Sequence, residues 1–516
     1  MKILSLEQLR QADKITIEKE DINSINLMER AGGYAFQWIH QRLQNGPVPI
    51  KVFCGIGNNG GDGLVIARYL IENNYHVTTY VVNYSDKRSE DFLKAYDSLK
   101  NATKNWPITL REGDDLPEID ERDLVIDAVF GIGLNRPAPQ WVQNLYKKIN
   151  ASQAYILSID MPSGLYMDKA PAKNEEIIHA TTVLTFQVPK LVFFLPETGK
   201  MFNGWEILDI GLDREYLATA KSNTLLIGKE HAVQLYRPRP KFSHKGIFGH
   251  TVIAGGSYGK MGSVAMSTKA ALRTGAGLVT AYIPQLGVDI LQTAIPEAMV
   301  EADRQNGKFI EEFDIDADAD IIGVGMGMGT DDATAKAFGE FLQENDEPLV
   351  IDADGLNILA KNPKFLEFLP EKTILTPHPK ELERLIGEWE DDFDKLKKAQ
   401  AFAKKYKLIL LIKGAYTFII HEDMMYINTS GNPGMATAGA GDVLTGILTG
   451  LRAQKYDALD AAIFGVYLHG SAGDIASSKL GYESVIAGDI IENISEAFKE
   501  LFAQPQQNPQ EQGQRR

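Results

Sequence analysis

Near the start of the chain, apolar positions fall among charges at helical spacing. Leu6, Leu9, Ile15 and Ile17 stand in a charged stretch, and Leu27-Met28-Glu29-Arg30-Ala31-Gly32 begins a second one. Both patterns predict amphipathic helices. Short apolar runs follow at Val48–Cys54, His76–Val82, Leu124–Ala128 and Tyr155–Ile159, with helical patterns between them. Such alternation predicts a parallel sheet with both faces covered. Further strands are expected at Thr182–Phe186, Leu191–Phe194 and Trp205–Asp209, which complete a first region near Leu212. Arg237-Pro238-Arg239-Pro240 interrupts any regular element, so a boundary is expected between about Asp213 and Lys245. The pattern restarts at Thr251–Ala254, followed by Gly255-Gly256-Ser257. Strands are then expected at Leu278–Ile283, Ile321–Val324, Pro348–Asp352, Thr373–Thr376 and Leu408–Lys413. With helices between them, the second region is also α/β. The expected division is a domain over 1–220, a second over 225–502, and a disordered tail over 503–516, whose Gln504–Gln510 stretch lacks apolar residues. No short-period repeat is present.

At 516 residues the chain exceeds what one core organises. A net charge of −16 argues against a nucleic-acid partner, which requires clustered Lys and Arg. Cys54 is the only cysteine, so neither an intrachain disulfide nor a cysteine zinc site is available. The first ten residues acquire charge too early for a signal peptide, and no apolar run is long enough to cross a bilayer. A cytoplasmic protein with no membrane partner is expected. The apolar helical faces of two α/β domains make a homo-oligomer the expected state.

The candidate chemistry of the first region centres on Gly57-Asn58-Asn59-Gly60-Gly61-Asp62-Gly63, between the apolar runs Val52-Phe53-Cys54 and Leu64-Val65-Ile66-Ala67. A strand breaking into such a turn and restarting as a helix presents free N–H groups to an anion. Asp127 ends one predicted strand, before Phe130-Gly131-Ile132-Gly133-Leu134-Asn135-Arg136-Pro137; Asp160 ends another, before Met161-Pro162-Ser163-Gly164. Ligands of open parallel sheets bind at the carboxyl ends of strands. Asn59, Asp62, Asp127, Asp160 and Ser163 all belong to that edge. One carboxylate among neutral oxygens suits a monovalent hard cation, and a remaining Asp can act as general acid or base. Taken singly, each Asp also reads as a helix N-cap.

In the second region the run Asn432–Gly446 carries Gly439-Ala440-Gly441-Asp442 into a helix. Its N–H groups can stabilise a transferring phosphoryl group, and Asp442 can take a proton from a hydroxyl. Lys413-Gly414-Ala415-Tyr416-Thr417 follows a strand, and Lys413 can pair with phosphate oxygens. His378, flanked by Pro377 and Pro379, is a candidate substrate contact, although a loop histidine without a role reads the same way. Asp352 and Asp354 offer carboxylates for Mg²⁺, and Gly323–Gly329 permits close backbone approach.

Gly57–Gly63, Asp127–Gly133 and Ile159–Gly164 resemble the motifs of the NAD(P)H-hydrate epimerase family over about the first 215 residues. The resemblance implies a Rossmann-like three-layer domain. It assigns Asn58, Asn59, Gly60, Gly61, Asp62, Gly131, Ile132, Gly133, Leu134, Asn135, Arg136, Pro137 and Asp160 to the dinucleotide hydrate. It assigns Asn59, Asp127 and Ser163 to K⁺, and Asp160 to moving the proton as C6 of the hydrated ring interconverts between R and S. The Gly-Ala-Gly-Asp segment resembles ribokinase-like folds. With His244-Lys245-Gly246, Gly255-Gly256-Ser257, Arg273–Gly277, Thr376–Pro379 and Asn432–Asp442, residues 225 to 500 resemble the ADP-dependent NAD(P)H-hydrate dehydratase family, which often has Pro where Met326 stands. That resemblance assigns Gly262 or Ser263, Gly327, His378 and Asp442 to the hydrate, Lys413, Gly414, Ala415, Tyr416, Thr417 and Gly441 to ADP, and Mg²⁺ to the same site, with Asp442 as the base. The expected function is bifunctional nicotinamide nucleotide repair. The alternative is a ribokinase-class small-molecule kinase fused to a nucleotide-binding scaffold.

Overall fold

In a computed structural model, residues 1–305 and 307–503 are described. The expected tail therefore lies outside the described residues, apart from Ala503. The chain forms two compact units. One takes in Met1–Ser222 and the short stretch Asp391–Phe393; the other takes in Asn223–Glu390 and residues from Asp394 onward.

The first unit carries a seven-stranded, wholly parallel sheet. Its strands are β1 (Ile50–Cys54), β2 (Val77–Val82), β3 (Ile108–Leu110), β4 (Leu124–Ala128), β5 (Tyr155–Ile159), β6 (Thr182–Phe186) and β7 (Trp205–Leu208), in the order β3-β2-β1-β4-β5-β6-β7. The order reverses between β1 and β4, so a crevice opens beyond their carboxyl ends. All five residues of β4 are buried, as both-face coverage demands. The Leu6–Glu20 helix begins at Ser5, whose hydroxyl accepts from the Gln8 backbone while the Gln8 side chain returns to Ser5 N–H, a capping box.

Two sequence expectations change here. Leu191–Phe194 is no strand: Leu191–Phe193 forms a 3₁₀ turn, and the preceding Lys190 is turned inward. The strand expected from Val48 begins only at Ile50, after Pro49, which has no N–H to give the ladder.

The second unit holds a ten-stranded sheet. β8 (Thr224–Ile227), β9 (His250–Ala254), β10 (Leu278–Pro284), β11 (Met299–Asp303), β12 (Ile321–Val324), β13 (Leu349–Ile351), β14 (Ile374–Leu375), β15 (Ile409–Ile412), β16 (Thr417–His421) and β17 (Met424–Asn428) lie in the order β11-β10-β9-β12-β13-β14-β15-β16-β17-β8. Pairing is antiparallel only where β16 meets β15 and β17. The Ala440–Ala453 helix crosses beneath this sheet's centre, and the Met261–Thr274 and Ala458–Leu480 helices pack on it.

Candidate active sites

In the first unit, a cavity of about 900 Å³ opens at the β1/β4 reversal. Gly57 and, from the start of the Asn58–Glu72 helix that follows β1, Asn58, Asn59 and Asp62 reach it, with residues 129–137 from the loop after β4 and Asp160 from the end of β5. Three loops distant in sequence therefore converge, and Gly131, Ile132, Gly133, Leu134, Asn135, Arg136 and Pro137 all stand on the wall.

Gly60 and Gly61 do not stand on the wall. A Cβ on Gly60 would fall 1.9 Å from the Gly55 carbonyl oxygen, and one on Gly61 would fall 2.5 Å from the Met28 sulfur. These positions are glycine so that the helix entry can press on the strand end and on the neighbouring Ser24–Leu43 helix. The resemblance assigns both to the dinucleotide hydrate, but neither lines the cavity itself.

Asp127 and Ser163 lie behind the wall, fully buried. Asp127 Oδ1 accepts from Ser163 Oγ at 2.5 Å, and Oδ2 accepts from Ser158 Oγ at 2.7 Å and Ser163 N–H at 2.9 Å. Burial raises the Asp127 carboxyl against the lowering effect of these bonds. The buried Asn59 Nδ2 has no partner. A side-chain amide can be placed either way round, and turning it would present oxygen instead of nitrogen. Asn59, Asp127 and Ser163 would then offer only oxygen donors, with one carboxylate among them, a chemistry that suits a monovalent cation.

Asp160 occupies a left-handed backbone conformation, φ 64°, a region that favours glycine and that other residues rarely adopt. Its Oδ1 accepts from Lys190 Nζ at 2.5 Å and Phe186 N–H at 3.2 Å. Lys190 also donates to Thr185 Oγ1 at 2.6 Å. Sequence reading missed Lys190 and a second wall residue, Asp13. The available signal for Lys190 was a lone charge between Val188-Pro189 and Leu191-Val192-Phe193. For Asp13 there was none beyond an acidic position beside the buried Ala12. Burial pushes the Asp13 carboxyl up to about 6; the charge of Asp160 adds to the rise and that of Lys190 opposes it. Asp62 is raised well above the carboxylate range by burial, then by Asp160, Asp13 and Asp91.

In the second unit the site assembles at the carboxyl ends of β12, β13 and β15. Asp352 accepts from Lys413 Nζ at 2.7 Å, Thr445 Oγ1 at 2.9 Å and Ala353 N–H at 2.8 Å. The carboxylate read as offering itself to Mg²⁺ is thus engaged by a lysine, a threonine and a helix entry, and Lys413 holds the Asp352 carboxyl below the ordinary value despite burial. No group of three His, Cys, Asp or Glu able to hold a metal occurs among the described residues. A Cβ on Gly441 would sit 3.2 Å from Lys413 Nζ, so the helix entry and the lysine flank one spot.

Asp442, in the first turn of the Ala440–Ala453 helix, is pushed up to about 6 by burial and by Asp352; a Ser263 hydrogen bond and Lys413 oppose the rise. Ser267 Oγ donates to the Asp442 carbonyl at 2.7 Å. A Cβ on Gly327 would meet Ser263 Cβ at 3.2 Å, which brings Gly262, Ser263, Gly327 and Asp442 into one neighbourhood. His378 caps the Pro379–Ile386 helix: its Nδ1 accepts from Lys380 N–H at 3.1 Å, and its Nε2 lies 3.3 Å from Glu381 Oε1. Burial and Lys413 lower its pKa, and its side chain is half-exposed. Gly414, Ala415 and Tyr416 form the loop that joins β15 to β16, where Thr417 begins.

Behind this site the Ala458–Leu480 helix holds the 430–440 loop. Asp474 accepts from Gly431 N–H at 2.9 Å and Asn432 Nδ2 at 2.8 Å, and Ser430 Oγ donates to the Tyr467 carbonyl at 3.0 Å. His469 is half-buried, bonds the Ala440 backbone, and has a buried, unpartnered Nε2.

Fold and sites define an α/β nucleotide-handling protein with two separate strand-end centres. Residues 24–192 match the model of the YjeF-related protein N-terminus, and residues 251–496 match that of NAD(P)H-hydrate dehydratase. The chain is similar to the bifunctional NAD(P)H-hydrate repair enzyme Nnr of Moorella thermoacetica, 34% identical over 525 residues and 97% of each chain. That of Coxiella burnetii is 33% identical, over 94% of this chain and 97% of the other. The chain belongs to the bifunctional NAD(P)H-hydrate repair enzyme family. Among solved structures, an ADP/ATP-dependent NAD(P)H-hydrate dehydratase from Bacillus subtilis, co-crystallised with ATP/Mg²⁺, is 24% identical, with TM-score 0.48, over 55% of this chain and all of that one.

Proposed function

We propose that this chain repairs water-damaged nicotinamide dinucleotides in two steps. Its first unit interconverts the R and S hydrates of NADH or NADPH, and its second converts the S hydrate back to NAD(P)H at the expense of ADP, releasing AMP and phosphate. The observation that carries this reading is the similarity to bifunctional repair enzymes along 97% of the chain. One motif-bearing carboxylate at each strand-end centre, Asp160 and Asp442, supports it. Joining the activities has a chemical logic, because a dehydratase alone strands the R epimer.

In the first unit Asp160 handles the proton as the C6–O bond breaks and re-forms. The wall segments 57–62 and 131–137 hold the dinucleotide, and Asn59, Asp127 and Ser163 would hold K⁺, which would supply a fixed positive charge. In the second unit Asp442 takes the C6 hydroxyl proton. The hydroxyl oxygen attacks the terminal phosphorus of ADP, and the bond to the AMP oxygen breaks. The phosphorylated oxygen then leaves C6 with its bonding pair, pushed by the ring-nitrogen lone pair, and loss of the C5 proton restores the double bond. Gly441 and its neighbours offer N–H groups to the transferring phosphoryl, Lys413–Thr417 hold the nucleotide, and Gly262 or Ser263, Gly327 and His378 position the hydrate. Mg²⁺ bound with the nucleotide would neutralise phosphate charge.

A cytoplasmic location fits the lone, buried Cys54 and the absence, among the described residues, of any helix long and apolar enough to cross a membrane. A homo-oligomer is part of the same proposal, tested by sedimentation. The deciding experiment incubates mixed R and S hydrate with the protein, ADP, Mg²⁺ and K⁺. Full return of reduced-nicotinamide absorbance with stoichiometric AMP and phosphate is expected. A stable phosphorylated product with no absorbance gain selects the kinase reading instead.

A further inference from the structure

Epimerisation at C6 poses a geometric demand that one side chain does not meet. Through an iminium-type intermediate, water leaves one face of the ring and enters at the other. On the first face a general acid gives a proton to the hydroxyl, the C6–O bond breaks, and the ring nitrogen lone pair forms N1=C6. On the second face a base takes a proton from incoming water as a new C6–O bond forms and the π pair returns to nitrogen. Two groups reached from different directions are therefore needed, and they exchange roles when the reaction runs backward.

Asp160 lies at the end of β5. It is met by the ammonium of Lys190, which is 1% exposed. Asp13 stands on the same cavity wall but comes from the Leu6–Glu20 helix, an element with no part in the strand-end loops. The capping box at Ser5 fixes where that helix starts, and the burial of Leu9, Ala12 and Thr16 fixes its rotation, which turns Asp13 to the cavity. Among the described residues, Asp13 has no hydrogen-bond partner, so its carboxyl is uncommitted, whereas Asp160 is held by three donors, Lys190, Phe186 and Thr185. The charged and titratable groups around Asp13 are Asp160 from β5, Lys190 from the turn after β6, Asp62 from the Asn58–Glu72 helix and, on its own helix, Arg10.

We infer that Asp13 is the second catalytic residue of the epimerase centre, the group that exchanges protons with oxygen on the ring face opposite Asp160. This rests on the epimerase reading of the first unit. Asp13 enters the cycle protonated and Asp160 as carboxylate; after one inversion the proton has passed from one to the other, and solvent resets the pair. The raised value of Asp13, about 6, keeps its acid form accessible close to neutral pH.

The test uses the full chain, with purified R hydrate in the absence of ADP, and follows appearance of the S form by chromatography. D13N is expected to lower kcat for epimerisation by about 100-fold or more, with KM within about threefold and a melting temperature no lower than that of the wild type. D13E, which restores a carboxyl, is expected to recover a measurable fraction. In the wild type kcat/KM should fall above about pH 6 with a slope of −1, and D13N should lack that limb. Dehydration of purified S hydrate by D13N should match the wild type. Wild-type epimerisation with an inactive D160N and an unaffected D13N overturns the inference and leaves the epimerase reading standing. If the wild type itself fails to epimerise, the underlying reading falls. Loss of substrate binding by D13N at unchanged kcat makes Asp13 a binding residue and also overturns the inference.

Discussion

Lys190 Nζ lies 2.5 Å from Asp160 Oδ1, in surroundings that leave the lysine 1% and the aspartate 7% exposed. A lysine so enclosed is tolerable only because a carboxylate and the Thr185 hydroxyl meet it. It is the positive charge that opposes the rise at Asp13. K190M removes one half of a buried pair and leaves Asp160 uncompensated. The expected loss is about 3–5 kcal/mol of stability in the first unit and all epimerisation, with dehydration of S hydrate retained. Denaturant unfolding and separate assays of the two activities check this.

At the second centre, Asp442→Asn removes the proposed base, so dehydration should fall by about 10²–10⁴-fold while epimerisation continues. The same change should stabilise the fold. The native carboxyl titrates at about 6 against an ordinary 3.8, so its contribution to stability is fullest below 3.8 and is lost as pH rises through 6. Asparagine escapes that loss. After a discount for partial exposure, a gain of about 1–2 kcal/mol is expected near pH 8, and none near pH 4. Unfolding curves at both pH values decide it.

His469 supplies the opposite pH dependence. Burial lowers its pKa from 6.5 to about 4. The native state refuses a proton that the unfolded chain accepts, so stability present above 6.5 erodes as pH falls toward 4, by up to about 3 kcal/mol. H469Q should flatten that acid slope and, by loosening the Ala440 peptide, slow dehydration without touching epimerisation. An acid slope identical in both proteins would refute the assignment.

Gly60→Ala places a methyl 1.9 Å from the Gly55 carbonyl oxygen, backbone that has nowhere to retreat. A destabilisation of about 2–4 kcal/mol is expected, together with loss of hydrate binding at the first centre. Gly57, where a Cβ meets nothing within 4 Å, is the control: G57A should fold normally.

Much of the architecture was legible because the central strands are short apolar runs, such as the fully buried Ile409–Ile412. The edge strands β3 and β11 were not. β3 exposes Ile108 and Thr109, and β11 keeps Met299 exposed, so neither needed the apolar run that betrays a central strand. The β16–β17 hairpin escaped because parallel alternation was expected throughout, and because its turn, Glu422-Asp423, carries no glycine signal. The motif loops around both centres could be found, since glycine and asparagine at strand ends announce themselves. Their reasons could not: at Gly60 and Gly61 the constraint is packing against Gly55 and Met28. Lys190 and Asp13 were invisible because only the folded chain carries the first helix and the turn after β6 to the end of β5. That Lys413, 61 residues away in sequence, pairs with Asp352 could not be read for a related reason, since only the fold brings the two together.

The Asp352–Lys413 pair leaves its mark on how an anion arrives. In a chain of net charge −16, a lysine already neutralised by its neighbour exerts little pull at a distance. Polyanions drifting past gain nothing by lingering, and only one that fits closely enough to share the ammonium is rewarded. Selectivity here is set on arrival at contact, and capture should be almost indifferent to ionic strength.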